Sequence, residues 1–263
     1  MDFSLSGRVA LITGGGRGIG RSVALTLADH GVDIALCGRT METLESTAED
    51  IRARGVRAFP IQADVGEIAD IQRFVSQAHQ QAGRIDILIN NAVSSQYAPF
   101  AEQTDDHWRH HIDVKLMAYI RSTREVMPFM KEQGWGRIVN VAGMTARIVA
   151  PLRITNGVVN SAITNFTKQV ANQVAPFNVT VNCVHPGATQ TDRQTQSLQR
   201  RAQDAGVSVE AMTELAIAEI PLGRLIQPQD IANAVLFYCS PLADVITGQA
   251  IAVDGGSATS VNY

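Results

Sequence analysis

The apolar run Arg8-Val-Ala-Leu-Ile-Thr13 breaks into Gly14-Gly15-Gly16-Arg17-Gly18-Ile19-Gly20 and continues with helical spacing as Arg21-Ser-Val-Ala-Leu-Thr-Leu-Ala28. A strand, a glycine turn and a helix start, in that order, constrain this chain more than any other feature. Glycine lets the backbone turn tightly and approach a ligand, and the first turn of a helix leaves N–H groups free at its positive end. Together they form a cradle for phosphate. The arrangement predicts a dinucleotide held around Gly14, Arg17, Gly18, Ile19 and Gly20. Glycine clusters also mark ordinary turns; the position between strand and helix is what gives this one its meaning.

Apolar runs alternate with helical patterns along the whole chain. Strands are predicted at 8–14, 33–39, 57–63, 85–90, 136–141, 179–185 and 250–254. Helices are predicted near 18–30, 41–54, 67–82, 104–133, 156–175 and 228–239. Several strands are apolar on consecutive residues, as strands covered on both faces are. The rhythm predicts an α/β fold: a doubly wound, Rossmann-type parallel sheet of about seven strands with helices on both faces. At 263 residues the chain suits one such domain, 1–263. The irregular stretch is 188–207, polar and rich in Gln and Arg. It is too long for an ordinary loop, so 188–220 is expected to form a lid over a ligand.

Composition narrows the function classes. A net charge of −3 gives no general electrostatic reason to hold nucleic acid or an acidic membrane. No apolar stretch reaches the ~20 residues of a membrane span, and Met1-Asp-Phe-Ser lacks a signal-peptide layout. Cys37, Cys183 and Cys239 stand apart in apolar segments, which predicts buried thiols rather than a metal site or a disulfide framework. A soluble cytoplasmic protein is expected.

The second strand ends Ala35-Leu-Cys-Gly38-Arg39-Thr40, without the acid that takes the ribose 2′-OH in NAD-preferring sites. Arg39, aided by Arg17, can pair with a 2′-phosphate instead, so NADP(H) is expected in preference to NAD. Downstream come Ala63-Asp64-Val65, Asn90-Asn91-Ala92, Asn182-Cys-Val-His-Pro186-Gly187 with Thr191, Pro228-Gln-Asp230 and Asp254-Gly-Gly256. This set resembles the short-chain dehydrogenase/reductase family, of the classical type, over essentially the whole chain. The resemblance implies a nicotinamide cofactor and a small carbonyl or alcohol substrate. It places Asp64 and Val65 at the adenine, and Asn91 and Ala92 at the adenosine ribose. Pro186, Gly187 and Thr191 fall at the nicotinamide end. It also implies a homo-oligomer, commonly a tetramer built through the helices near 104–133 and 156–175. One departure is Val93, where the family pattern has Gly and a Cβ could crowd cofactor or substrate.

The family reduces carbonyls with a Tyr proton donor, a Lys that lowers its pKa, a Ser on the substrate oxygen and an Asn relay. Those positions in this chain are Asn156, Asn160, Gly143 and Lys115. Asparagine cannot donate a proton at accessible pH, and general acid catalysis is worth about a hundred- to ten-thousand-fold. Two readings stay open. In a rebuilt site, Lys115 and Asn160 exchange the family's amide and ammonium, and Asn156 polarises a carbonyl. Such a site suits hydride transfer needing little acid help, or enolisation, dehydration or retro-aldol cleavage. In the other reading the chain is an inactive cofactor-binding or regulatory paralogue.

Further residues have two meanings each. Ser94, Ser95 and Tyr97 follow the fourth strand at the ligand edge, where Tyr97 is either a displaced acid or a wall. Thr145 offers a hydroxyl or caps backbone. His185 is an acid–base candidate or a packed strand-end residue. His107, His110 and His111 lie on a polar helical stretch without a carboxylate set for metal. Arg147 and Arg153 flank the site, either selecting an anionic substrate or making surface or subunit contacts. The 193–201 arginines form a solvated lid face or meet an acidic or phosphate-bearing substrate.

Overall fold

Parallel strands buried on both faces need helices on both sides, and the fold delivers them in alternation. The computed structural model describes residues 3–94 and 97–259. Its strands are β1 (Val9–Thr13), β2 (Asp33–Gly38), β3 (Ala58–Gln62), β4 (Ile87–Asn90), β5 (Gly136–Val141), β6 (Val179–Pro186) and β7 (Ala250–Val253). They form one sheet in the order β3-β2-β1-β4-β5-β6-β7, with every pairing parallel. The expected fold class is the observed one. The strand order reverses between β1 and β4, which opens a crevice beyond their carboxyl ends where such sheets bind ligands.

Alternate residues of each strand supply the two cores. Ala10 and Ile12 share one core with Val23 and Leu27 of α1 (Gly18–Ala28), Leu44 and Ile51 of α2 (Met41–Arg52), and Ile231 and Val235 of α9 (Pro228–Cys239). Val9 and Leu11 share the other core with Ile71 and Phe74 of α3 (Ile68–Ala82), Tyr119 and Val126 of α5 (Ala118–Gln133), and Val159 and Ile163 of α6 (Ile154–Val174). Cys37, Cys183 and Cys239 are buried and free, as expected.

Two segments differ from the sequence reading. The pattern over 104–133 predicts one helix, but the chain folds as α4 (Asp105–His111), a π-helical turn (Ile112–Met117) and α5. The wider turn rotates Lys115 into the interior, where it is 2% exposed. The stretch 188–207 is not an irregular loop. It forms α7 (Asp192–Ala205), which packs Leu198 and Ala202 against Met212 and Ala216 of α8 (Val209–Ala218). Thr191 caps α7 by accepting from the Gln194 N–H at 3.3 Å, and Gly206 ends it in the left-handed region.

Candidate active site

The glycine turn is tight because it packs against itself. A Cβ on Gly20 would lie 2.1 Å from the Gly14 carbonyl oxygen, and Gly14 has φ 68°. Arg17 stands at the N-terminus of α1 in extended conformation and supplies no side-chain cap, so the first-turn donors of Gly18, Ile19 and Gly20 face the crevice. A Cβ on Gly18 would meet Thr191 at 3.4 Å, which places Thr191 over this turn. Arg17 and Arg39 are exposed and form no ion pair among the described residues. These groups fit a dinucleotide with an extra phosphate.

Other residues expected around the cofactor have structural duties in view. Asn91 Nδ2 donates to the carbonyls of Thr13 and Gly14 at 3.1 and 3.2 Å, and the Asn91 and Ala92 N–H groups donate to Thr13 Oγ1. They tie the end of β4 to the glycine turn. Asp64 Oδ1 accepts from the Gly66 N–H at 2.9 Å, while Val65 is buried among the core residues beside β3. Gly187, following Pro186, leaves room for Asp254: a Cβ there would lie 2.7 Å from Asp254 Cα. Val93 is exposed.

The residues expected at the chemical end lie where β5 stops and α6 begins. Lys115 Nζ donates to the Ala142 carbonyl at 2.8 Å. Burial, with the Arg193 charge nearby, lowers its ammonium from the ordinary 10.5 to about 7. Asn160 Nδ2 donates to Thr145 Oγ1 at 2.8 Å, and a Cβ on Gly143 would reach 2.8 Å from that same nitrogen. The Oδ1 atoms of Asn156 and Asn160 are buried and accept from no protein group. His111 Nδ1 meets Thr155 Oγ1 at 3.1 Å, and its buried Nε2 is also without a partner. Desolvation, then the Lys115 charge, holds the His111 imidazolium down to about 4. The nearby buried phenol, Tyr119, donates to the Val141 carbonyl at 2.8 Å and burial raises it well above 10, so it supplies no proton near neutrality.

Residues 14–258 match the family model described as enoyl-(acyl carrier protein) reductase, a short-chain dehydrogenase model. The chain is a short-chain dehydrogenase/reductase. It is 33% identical to 3-oxoacyl-[acyl-carrier-protein] reductase FabG of Aquifex aeolicus, over 97% of this chain and 99% of that one. It is 32% identical to the NADPH-dependent reductase BacG of Bacillus subtilis, over 98% and 100%. The structure of L-sorbose reductase from Gluconobacter frateurii, complexed with NADPH and L-sorbose, superposes with a TM-score of 0.95 at 30% identity, covering 99% of this chain and all of that one. An NAD⁺-bound xylitol dehydrogenase is also similar, with a TM-score of 0.91 at 27% identity over 96% of this chain and 100% of that one, so the fold takes either nicotinamide cofactor.

Within this short-chain dehydrogenase frame the remaining candidates separate. His185 is fully buried and holds the Gly143 backbone through Nδ1, and desolvation, then the Arg147 charge, lowers it to about 4. Of its two readings the geometry fits the packed strand-end residue. Arg147 donates to the Ala250 carbonyl and so anchors β7. His107 takes part in the capping box of α4 with Thr104. Ser95 lies outside the described residues. Among the described residues no cluster of His, Cys, Asp or Glu suits a metal, and no helix is long and apolar enough to cross a membrane. The sequence reading missed His111 as a site residue. Its signal was the spacing of four to Lys115, which brings two residues to one helix face.

Proposed function

We propose that this short-chain dehydrogenase is an NADPH-dependent reductase of a small carbonyl compound, with Lys115 as proton donor in place of a phenol. The observation that carries the reading is the buried Lys115 ammonium, brought near neutrality and anchored at the end of β5 beside Gly143. A donor with a pKa near the working pH combines a useful protonated fraction with ready release. When bound, NADPH supplies the hydride. Gly14, Gly18, Ile19 and Gly20 would hold its pyrophosphate, and Arg17 and Arg39 its 2′-phosphate. The amides of Asn156 and Asn160 orient the substrate oxygen, and α7 with α8 forms the lid over 188–220. Exposed Phe100 and Val158, near the start of α4 and on α6, support a homotetramer built through those helices.

A cofactor-binding protein without turnover is the second reading, favoured by Asn156 and Asn160, which carry no ionisable proton. Separate measurement of NADPH binding and NADPH oxidation over a carbonyl panel decides between them. Oxidation that falls at least a hundredfold in Lys115→Ala, with binding retained, supports the reductase. Binding with no oxidation in the wild type rejects it. NADPH should also bind at least tenfold more tightly than NADH, and Arg39→Ala should erase that preference.

A further inference from the structure

Eleven arginines of this chain form ion pairs with Asp or Glu among the described residues, and Arg153, Arg200 and Arg201 form none. Arg153 and Arg200 meet at the Tyr97 ring, and the Arg201 charge acts on Arg153. Arg153, half-buried at the start of α6, donates to Ser197 Oγ of α7 at 2.9 Å. Its guanidinium lies 5.8 Å from the Tyr97 ring centroid, and Arg200 of α7 lies 5.4 Å from the same ring. Next to Tyr97 and Arg200 is a cavity of about 420 Å³, also lined by Leu152 and His107. Glu102 and Asp204 lie on its wall, and neither reaches an arginine within ion-pair distance among the described residues.

A solvated arginine face would leave these side chains free in water. Arg153 is instead held by Ser197 and lies against an aromatic ring. Burial, then the Arg201 charge, lowers its guanidinium below the ordinary range, and burial with the Arg153 charge lowers that of Arg193. Like charges gathered together repel, and a bound anion removes the repulsion. Arg193 also acts on Lys115 and His111, so the basic cluster and the chemical end share one field.

We propose that the substrate carries an anionic group, a carboxylate or a phosphate ester, that docks at Arg153 and Arg200 beside Tyr97. The inference rests on the reductase reading above and names the substrate class of that site. Arginine suits both anions because its planar fork of donors matches their oxygens.

The test is calorimetric titration of the NADP⁺-saturated protein with 3-oxobutyrate, its methyl ester and dihydroxyacetone phosphate. Saturation with NADP⁺ keeps the ligands away from Arg17 and Arg39. At least one anion should bind tenfold or more tightly than the neutral ester, and the tighter anion identifies carboxylate or phosphate. Arg153→Gln should cut that anion's affinity five- to tenfold while leaving the ester unchanged. Arg200→Gln, on the exposed side of α7, should do the same and serves where Arg153→Gln fails to fold. Binding of both anions no tighter than that of the ester, no binding by any of the three, or a preference untouched in Arg200→Gln would overturn the proposal. Failure of NADP⁺ itself to bind sinks the cofactor reading instead, and the same titrations on the free protein then decide the anion site.

Discussion

Where the strands begin, Asp86 is fully buried and its carboxylate receives Arg8 at 2.9 Å, Arg84 at 2.7 Å and the Val9 N–H at 2.9 Å. Beside it the Trp135 ring lies between the guanidiniums of Arg8 and Arg137, at 4.0 and 4.3 Å, and Arg137 pairs with Asp244. Where the strands end, Lys115 is just as deeply buried but donates to the Ala142 carbonyl with no ion-pair partner among the described residues, and His111, Asn156 and Asn160 keep atoms without partners. One end of the sheet neutralises its buried charge within the protein. The other holds a cation without a counter-charge and three buried polar atoms without partners among the described residues, which is the expected state of a surface shaped for a ligand.

The largest effect should come from breaking the neutralised end. Asp86→Asn removes the counter-charge shared by two arginines and weakens the acceptor of the Val9 N–H. It should cost roughly 3 kcal/mol in urea unfolding, because the remaining charges lose their partner at a buried site. NADP(H) affinity should stay within about twofold, since β1 and β4 present the crevice from their opposite ends. A variant that binds cofactor tenfold more weakly would show that the two ends are coupled.

Breaking the other end should do the reverse. Lys115→Met removes a buried charge without creating an unpaired one, so it should stabilise the protein by about 2 kcal/mol at pH 7 while abolishing turnover. The sign follows from linkage. The folded pKa, about 7, lies below the unfolded value of 10.5, so the unfolded chain holds the extra proton between those values and wild-type stability rises with pH across that window. The stabilisation by methionine should therefore be fully present at pH 7 and below, and fade towards pH 10.5. Thermal unfolding at pH 7 and 9.5 checks it, and a variant less stable than wild type at pH 7 would contradict it.

A smaller effect of the same kind is shared by two histidines. His111 and His185 each fall from an ordinary 6.5 to about 4 because burial disfavours the imidazolium. Below pH 6.5 the unfolded chain takes up protons that the folded chain refuses, so stability should decline from about pH 6.5 to about pH 4. The loss should be on the order of 2 kcal/mol for each histidine by pH 5. His111→Gln should flatten this slope in urea melts at pH 7 and 5, and an unchanged slope would place the protonation elsewhere.

The sequence exposes the neutralised frame better than the unsatisfied site. All seven strands were legible because consecutive apolar residues such as Val9–Ile12 have no other stable place than a doubly covered sheet. Helices α7 and α8 were not, since their apolar stripe is only Leu198, Ala202, Met212 and Ala216 within a Gln- and Arg-rich stretch. The caps that could have revealed them are single residues, Thr191, Gly206 and Ser208. The glycine turn was legible residue by residue. Asn91 reads as a ribose contact, and its amide also secures the turn. His111 stayed hidden because its spacing of four to Lys115 is the one mark that separates it from His107 and His110, and the burial of that pair depends on the π-helical turn, which the residue types do not announce.

The smallest effect tests how loosely the ligand end is built. Gly143 has an extended backbone, so any residue can adopt its conformation, and its neighbour is the far end of the Asn160 side chain rather than backbone. Gly143→Ala should therefore cost less than about 1 kcal/mol, roughly one hydrogen bond as Asn160 turns away from Thr145. Gly20→Ala faces the Gly14 carbonyl at 2.1 Å, where nothing can rotate aside, and should distort the turn and weaken NADP(H) binding strongly. Turnover and cofactor affinity measured on both variants sharpen the contrast within the crevice. If Gly143→Ala is as damaging to cofactor binding as Gly20→Ala, then Asn160 is as rigid as the glycine turn, and the unsatisfied end of the sheet is a fixed frame rather than an adjustable pocket.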